Sequence, residues 1–216
     1  MSCSFNLKDL SFKNDKKTIF KSVNLNVGHE EKVAIVGSNG VGKSTLLKII
    51  AGLEDEYFGQ IHLFHHLIKS SKEYEKFRSE IGYLPQDVSD YFLCPTVIED
   101  VMFNLRARKV SKTEAYVESM KILKHLNIHH LENRVINELS GGEQKIVALA
   151  GILITKPKIM LLDEPTNALD DEAQDKIINL LNSIKKSMVI VSHHKSFIDK
   201  LASTIYKLNK DGLERV

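Results

Sequence analysis

Two hydrophobic rhythms run through the chain. From Ser4 to Phe12 apolar and polar residues alternate, which predicts an edge strand, and Val23, Leu25 and Val27 repeat the period before Gly28. Val33 to Val36, Ile159 to Leu162 and Met188 to Val191 are apolar almost throughout, as parallel strands covered on both faces are. Gly59 to Leu63 and Ile81 to Leu84 read as further strands, separated by a charged stretch from Lys69 to Glu80. Thr45 to Ala51 has helical spacing, with Gly52 placed to end it, and Asp171 to Lys186 reads as another helix.

Beyond Gln86 the strand period disappears. Thr96 with Glu99, and Ser111 with Glu114, match the Ser/Thr-x-x-Glu pattern of a capping box. Tyr116, Met120, Leu123 and Leu126 then follow at helical spacing. Residues from about 87 to 155 are therefore expected to be all helical. They form a lobe inserted into an α/β core of about 1–86 and 156–216, within one domain spanning 1–216.

The strongest chemical signal lies between the first fully apolar run and the first helix. Gly37-Ser38-Asn39-Gly40-Val41-Gly42-Lys43-Ser44-Thr45 matches G-x-x-x-x-G-K-[ST] in the required strand, loop, helix order. Glycines at 37, 40 and 42 let the backbone curl and point its N–H groups inward. With the helix N-terminus those donors make an anion site for phosphates. Lys43 reaches the β/γ-phosphates and Ser44 places its hydroxyl on Mg²⁺. The expected ligand is a nucleoside triphosphate with Mg²⁺.

Two further segments qualify this picture. The run Ile159 to Leu162 ends in Asp163-Glu164, so a buried strand delivers two carboxylates to its C-terminal edge, where ligands bind in α/β sheets. Asp163 is placed to hold Mg²⁺, and Glu164 to polarise an attacking water as general base. Leu139-Ser140-Gly141-Gly142-Glu143-Gln144 contains another capping box, with two glycines exposing backbone N–H groups at a helix start. That is a second anion site in the same chain.

Composition narrows the class without naming it. Of 216 residues 43% are hydrophobic and 27% charged, ordinary for a globular protein. A net charge of +2 gives no case for nucleic acid as the main partner. No apolar run approaches the ~18 residues of a membrane span. Cys3 and Cys94, the only cysteines, are too few for a disulfide framework and fit a cytosolic setting. His65-His66 and His129-His130 lack the spacing of a metal site and read as solvated loop residues.

Taken in order, these motifs resemble the nucleotide-binding subunit of an ATP-binding-cassette (ABC) transporter. Leu139 to Glu143 is similar to the family signature, Gly37 to Thr45 to its Walker A loop, and Ile159 to Glu164 to its Walker B strand. Gln86 resembles the Q-loop glutamine, Ala168-Leu169-Asp170 the D-loop, and His193 the switch histidine, with His194 the competitor for that role. The resemblance spans essentially the whole chain. It implies a P-loop NTPase core: a mixed, mainly parallel sheet with flanking helices and an N-terminal antiparallel β region, plus the inserted α-helical subdomain. It also implies ATP hydrolysis at composite sites, each shared between one subunit's Walker A loop and its partner's signature. Ser140, Gly141 and Gly142 then bind the γ-phosphate of the partner's ATP. Gln86 joins the Mg²⁺ shell, His193 holds the γ-phosphate and the water, and Asp170 contacts the opposite subunit.

One departure concerns the base. The family's aromatic stacking position falls on Asn14, with Phe12 two residues earlier set to face the other way. The resemblance further implies a transmembrane partner docking near Asp87 to Pro95, where Asp90-Tyr91-Phe92-Leu93 offers apolar groups that fit either an interface or the lobe core. Such a subunit sits peripherally on the cytoplasmic face of the membrane. Pro95 to Phe103 is similar to a segment of energy-coupling-factor and cobalt/nickel importer ATPases, which implies import of a metal ion or vitamin. Homodimer and heterodimer with a related ATPase both fit. An exporter ATPase and a soluble ABC-type switch are the rivals. Too few residues separate Gln86 from Leu139 for a long coiled-coil arm.

Overall fold

The computed structural model describes residues 3–14, 17–167 and 169–216. Among the described residues ten strands form two sheets. In the first, β1 (Cys3–Asn14) lies between β2 (Lys17–Gly28) and β4 (Tyr57–Leu63), and β5 (His66–Ile68) pairs with β4; every pairing is antiparallel. The alternation from Ser4 to Phe12 is present, but β1 is interior and not an edge. Alternation reports that one face is buried; it does not report how many neighbours share the backbone.

The second sheet has the order β10-β9-β3-β8-β7-β6. Its strands are β3 (Lys32–Val36), β6 (Ile81–Leu84), β7 (Ile159–Asp163), β8 (Ser187–Val191), β9 (Thr204–Asn209) and β10 (Gly212–Arg215). The first five run parallel, and β10 returns antiparallel to β9. The unbroken apolar runs are explained by the two cores on either side of this sheet. Val33, Ile35, Ile159, Leu161, Val189 and Val191 point into one core with α1 (Lys43–Ile50) and the antiparallel sheet. Ala34, Met160, Leu162, Met188 and Ile190 point into the other with the helices. On α1, Leu46, Leu47, Ile49 and Ile50 are all fully buried, so this helix is sealed between two sheets.

The short helix α2 (Ser71–Tyr74) stands in the charged stretch. Its Tyr74 lies over the end of α1, where the hydroxyl donates to Ile49 O at 3.0 Å. The α-helices between β6 and β7 are α3 (Val97–Ala107), α4 (Lys112–His125) and α5 (Gly141–Leu153), with short 3₁₀ turns at His129–Leu131 and Ile136–Glu138. Of the expected caps, Ser111 accepts from Glu114 N–H at 3.2 Å, and Ser140 with Glu143 forms a complete capping box. Thr96 does not cap α3: its hydroxyl donates to Glu99 Oε2 at 2.7 Å, side chain to side chain.

The segment before α3 is tied down twice. Asp100, buried on α3, accepts the N–H groups of Leu93 and Cys94 on Oδ1 at 2.8 and 3.1 Å. Ile136 N–H donates to Pro95 O, Val97 N–H to Arg134 O, and Thr96 bridges Val135. Tyr91 and Phe92 pack edge to face against each other and onto the lobe core, while Leu93 is 70% exposed. Tyr91 and Phe92 thus serve the interior, and Leu93 alone projects. Two helices complete the core, α6 (Asp171–Ser183) and α7 (Lys195–Leu201).

Candidate functional site

Because β6, β7, β8 and β3 are parallel neighbours, their carboxyl ends share one edge of the sheet. The loop after β3 carries Gly37 to Thr45, β7 ends at Asp163, β8 leads into His193, and β6 leads into Gln86. Sequence positions far apart thereby meet at one cleft of about 540 Å³. It is lined by Asn39, Gly40, Gly42, Lys43, Ser44, Thr45, Gln86, Asp163, Glu164, Asn167 and His193. Val191, Phe12, Asn14 and Ile19 complete the wall.

The phosphate loop needs glycine where no side chain fits. Gly42 has φ +104°, and a Cβ there would stand 2.6 Å from the Ile19 methyl and 2.9 Å from the Phe20 ring. At Gly37 (φ +153°) it would stand 2.7 Å from Leu208 O. Lys43 begins α1 and is largely buried; its ammonium donates to Gly37 O at 2.8 Å and Ser38 O at 3.1 Å. A lysine has three donors, so the cation is anchored to the loop with one N–H left for a phosphate oxygen. Val41 lies under the loop against the antiparallel core.

Asp163 and Glu164 are adjacent yet differently placed. Asp163 is 2% exposed, and its Oδ1 has no hydrogen-bond partner among the described residues. Burial pushes its carboxyl above the usual carboxylate range; a hydrogen bond from Ser44 pulls the other way, and the charge of Glu164 pushes it up further. A buried carboxylate oxygen without a partner, next to a serine hydroxyl, is the donor set a hard divalent cation takes. The residues present therefore fit Mg²⁺.

Glu164 has φ +46°, a left-handed backbone that costs a non-glycine residue about 1–2 kcal/mol. Its N–H donates to Val191 O at 2.9 Å, holding the turn against β8. The carboxylate faces His193, whose Nδ1 lies 2.9 Å from Oε1 and whose N–H donates to Oε2 at 3.4 Å. His193 rather than His194 lines the cleft; the two rings stack at 4.1 Å. The positive φ is what turns Glu164 out of the strand toward the cleft, while Asp163 remains in it.

Phe12 and Asn14 both line the cleft, which corrects the expectation that they face opposite ways. Residues two apart on a strand share a face. Phe12 is 8% exposed and leans on Phe20 with centroids 6.1 Å apart, so it offers little free ring surface.

The signature segment is elsewhere. None of Leu139, Ser140, Gly141, Gly142 or Glu143 lines the cleft. Ser140 N–H donates to Glu143 Oε2 at 2.8 Å, and Gln144 Nε2 donates to Ile136 O and Leu139 O, which fixes the entry to α5. A Cβ on Gly141 would meet nothing within 4 Å, so the helix start is open there, whereas one on Gly142 would touch Ala173 and Leu169 at 3.4 and 3.5 Å. Asp170 caps α6, accepting from Ala173 N–H at 2.8 Å. Ala168 of the D-loop segment lies outside the described residues.

The sequence reading missed Ile19 and Asn167 in the cleft wall, and Lys145 beneath it. Lys145 alone carried a signal: a lysine opening the otherwise apolar run Ile146-Val147-Ala148-Leu149.

Comparison with known proteins agrees with this geometry. A profile of the ABC transporter family matches residues 20–167. The energy-coupling factor transporter ATP-binding protein EcfA of Methanothermobacter thermautotrophicus is 36% identical over 212 residues, spanning 96% of this chain and 68% of the relative. Among solved structures, cbiO1 from Clostridium perfringens, part of the ABC transporter complex cbiONQ, matches with a TM-score of 0.88 at 28% identity, covering 99% of this chain and 88% of that one. The ATP-binding cassette MJ0796, in a dimeric post-hydrolysis state bound to ADP and Pi, matches at 0.87 with 30% identity, covering 98% and 97%.

Proposed function

The chain belongs to the ABC transporter family as an ATP-binding, ATP-hydrolysing protein, and from that premise we propose that it powers import of a metal ion (cobalt or nickel) or a vitamin through a separate membrane subunit. The observation that carries the hydrolytic half is the Glu164–His193 pair, held in one cleft with Lys43, Ser44 and Asp163. In this reading the phosphate loop and Lys43 bind the β- and γ-phosphates. Ser44, Asp163 and Gln86 would hold Mg²⁺, which when bound would neutralise charge developing on the phosphate oxygens. Glu164 takes a proton from the attacking water, and His193, in contact with that carboxylate, orients it and steadies the γ-phosphate.

The missing wall comes from a second cassette. The signature lies outside the cleft of its own chain, with Gly141 open to space, which supports a head-to-tail pair in which Ser140, Gly141 and Gly142 close the partner's site and Asp170 lies at the junction. The pair is a homodimer or a heterodimer with a related ATPase. Exposed Leu93, in the segment Asp87 to Pro95, is the proposed contact with the membrane subunit, placing the protein peripherally on the cytoplasmic face. Likeness to EcfA and cbiO1 supports import over export.

Phosphate release from the purified protein tests the core of this. Glu164→Gln is expected to retain ATP binding and to slow hydrolysis by about 10²–10⁴-fold, the usual worth of a general base. It should also accumulate as an ATP-bound dimer on gel filtration. A rate equal to wild type removes Glu164 from the mechanism. Uptake assays with the co-purified membrane subunit, comparing divalent cations with vitamins, decide the cargo.

A further inference from the structure

One side chain joins the helix that begins at Ser140 to the turn that carries Glu164. Lys145, near the start of α5, is only 6% exposed. Its ammonium donates to Glu164 O at 3.0 Å and to Asn167 O at 2.8 Å. Asn167 N–H donates to the same Glu164 carbonyl at 3.1 Å, so the first and last residues of the turn are bound to each other and to Lys145.

A buried ammonium is costly, and an apolar residue would continue the interior of α5 without that cost. Burial pulls Lys145 below the usual lysine range, while the carboxylates of Glu164, Asp87 and Asp163 pull it back up. Its hydrogen bonds nevertheless go to main-chain carbonyls of the turn in which Glu164, a non-glycine residue, is held left-handed at φ +46°. Such a conformation persists only where surrounding contacts over-determine it.

We propose that Lys145 is a positioning residue: it clamps the turn from Glu164 to Asn167, keeps Glu164 left-handed, and so aims the carboxylate at His193 and the cleft. The inference rests on Glu164 being the base. It assigns no direct contact with nucleotide to Lys145, which does not line the cleft.

The test is a double-mutant cycle on phosphate release, with ATP affinity measured alongside. Lys145→Met keeps the stem and removes the donors. It is expected to lower kcat by about 10²-fold, the scale of a misplaced reacting group, with KM for ATP within about threefold of wild type. Lys145→Arg should return kcat to within about threefold of wild type, because a guanidinium fork reaches two carbonyls. In a Glu164→Gln background Lys145→Met should cost less than about twofold, since the group it positions is already lost. A structural role would instead raise KM and reduce both backgrounds by the same factor. Equal losses in the two backgrounds, or no rescue by Lys145→Arg, overturn the proposal. If Lys145→Met fails to fold, Lys145→Gln carries the same comparison. Wild-type turnover by Glu164→Gln itself removes the underlying reading, and the proposal falls with it; the other outcomes bear on Lys145 alone.

Discussion

Asn14 stands where an aromatic ring would be expected to meet the base, and neither Phe12 nor Ile19 replaces that ring. Phe12 is mostly spent on Phe20, and Ile19 offers only an aliphatic edge above Gly42. Base–aromatic stacking is worth about 1–3 kcal/mol, so Asn14→Tyr is expected to tighten ATP binding by about 5- to 150-fold. Equilibrium titration with ATP and GTP measures it, and the wild type should separate the two less than the variant does. At this scale the sequence was most legible where chemistry is local. Gly37 to Thr45, Asp163 and Glu164 act through types and spacings that a linear string displays. Lys145 escaped notice as a functional residue because its meaning lies in two carbonyls on another element, visible only once α5 meets the turn that follows β7.

Among elements, the uninterrupted apolar runs were the reliable signal, because a strand buried on both faces has no polar position to spare. The edge assignment of β1 failed for the complementary reason, since pairing partners leave no mark on side-chain alternation. β9 and β10 were not anticipated at all: Thr204 to Arg215 mixes exposed and half-buried residues and carries neither rhythm cleanly. Thr96 shows that a capping pattern offers two geometries, and here the threonine hydroxyl bonds the glutamate directly instead of accepting from the backbone. Packing between elements gives a sharp expectation at Gly82 on β6. A Cβ there would stand 2.4 Å from the Ile152 methyl on α5 and 3.3 Å from Pro157. Gly82→Ala should destabilise by about 1–3 kcal/mol through overpacking, a fall in Tm of about 2–12 °C for a chain of this size. Differential scanning calorimetry would register it, and an unchanged Tm would mean that α5 shifts freely against the sheet.

For the molecule as a whole, the cleft and the signature stand apart. The cleft holds the phosphate loop, both acids, Gln86 and His193, while Gly141, after Ser140, is open to space outside it. Ser140→Arg is expected to abolish steady-state turnover while leaving ATP affinity of the monomer within about twofold, because distant sites act independently until they are brought together. Normal turnover in that variant would show that one chain suffices. Neither the pairing of chains nor the cargo is written in the linear order of motifs; only the resemblance supplied them in advance.

Leu93 has a mechanical consequence. Its own N–H is fastened to Asp100, and the adjoining residues are laced to 134–136 through Pro95, Thr96 and Val97. Ser140 follows a few residues later, with Gln144 gripping Ile136 and Leu139. A pull on that one projecting leucine would therefore be passed through these bonds to the glycine-flanked end of α5, like a bell-rope tied to the clapper rather than to the tower.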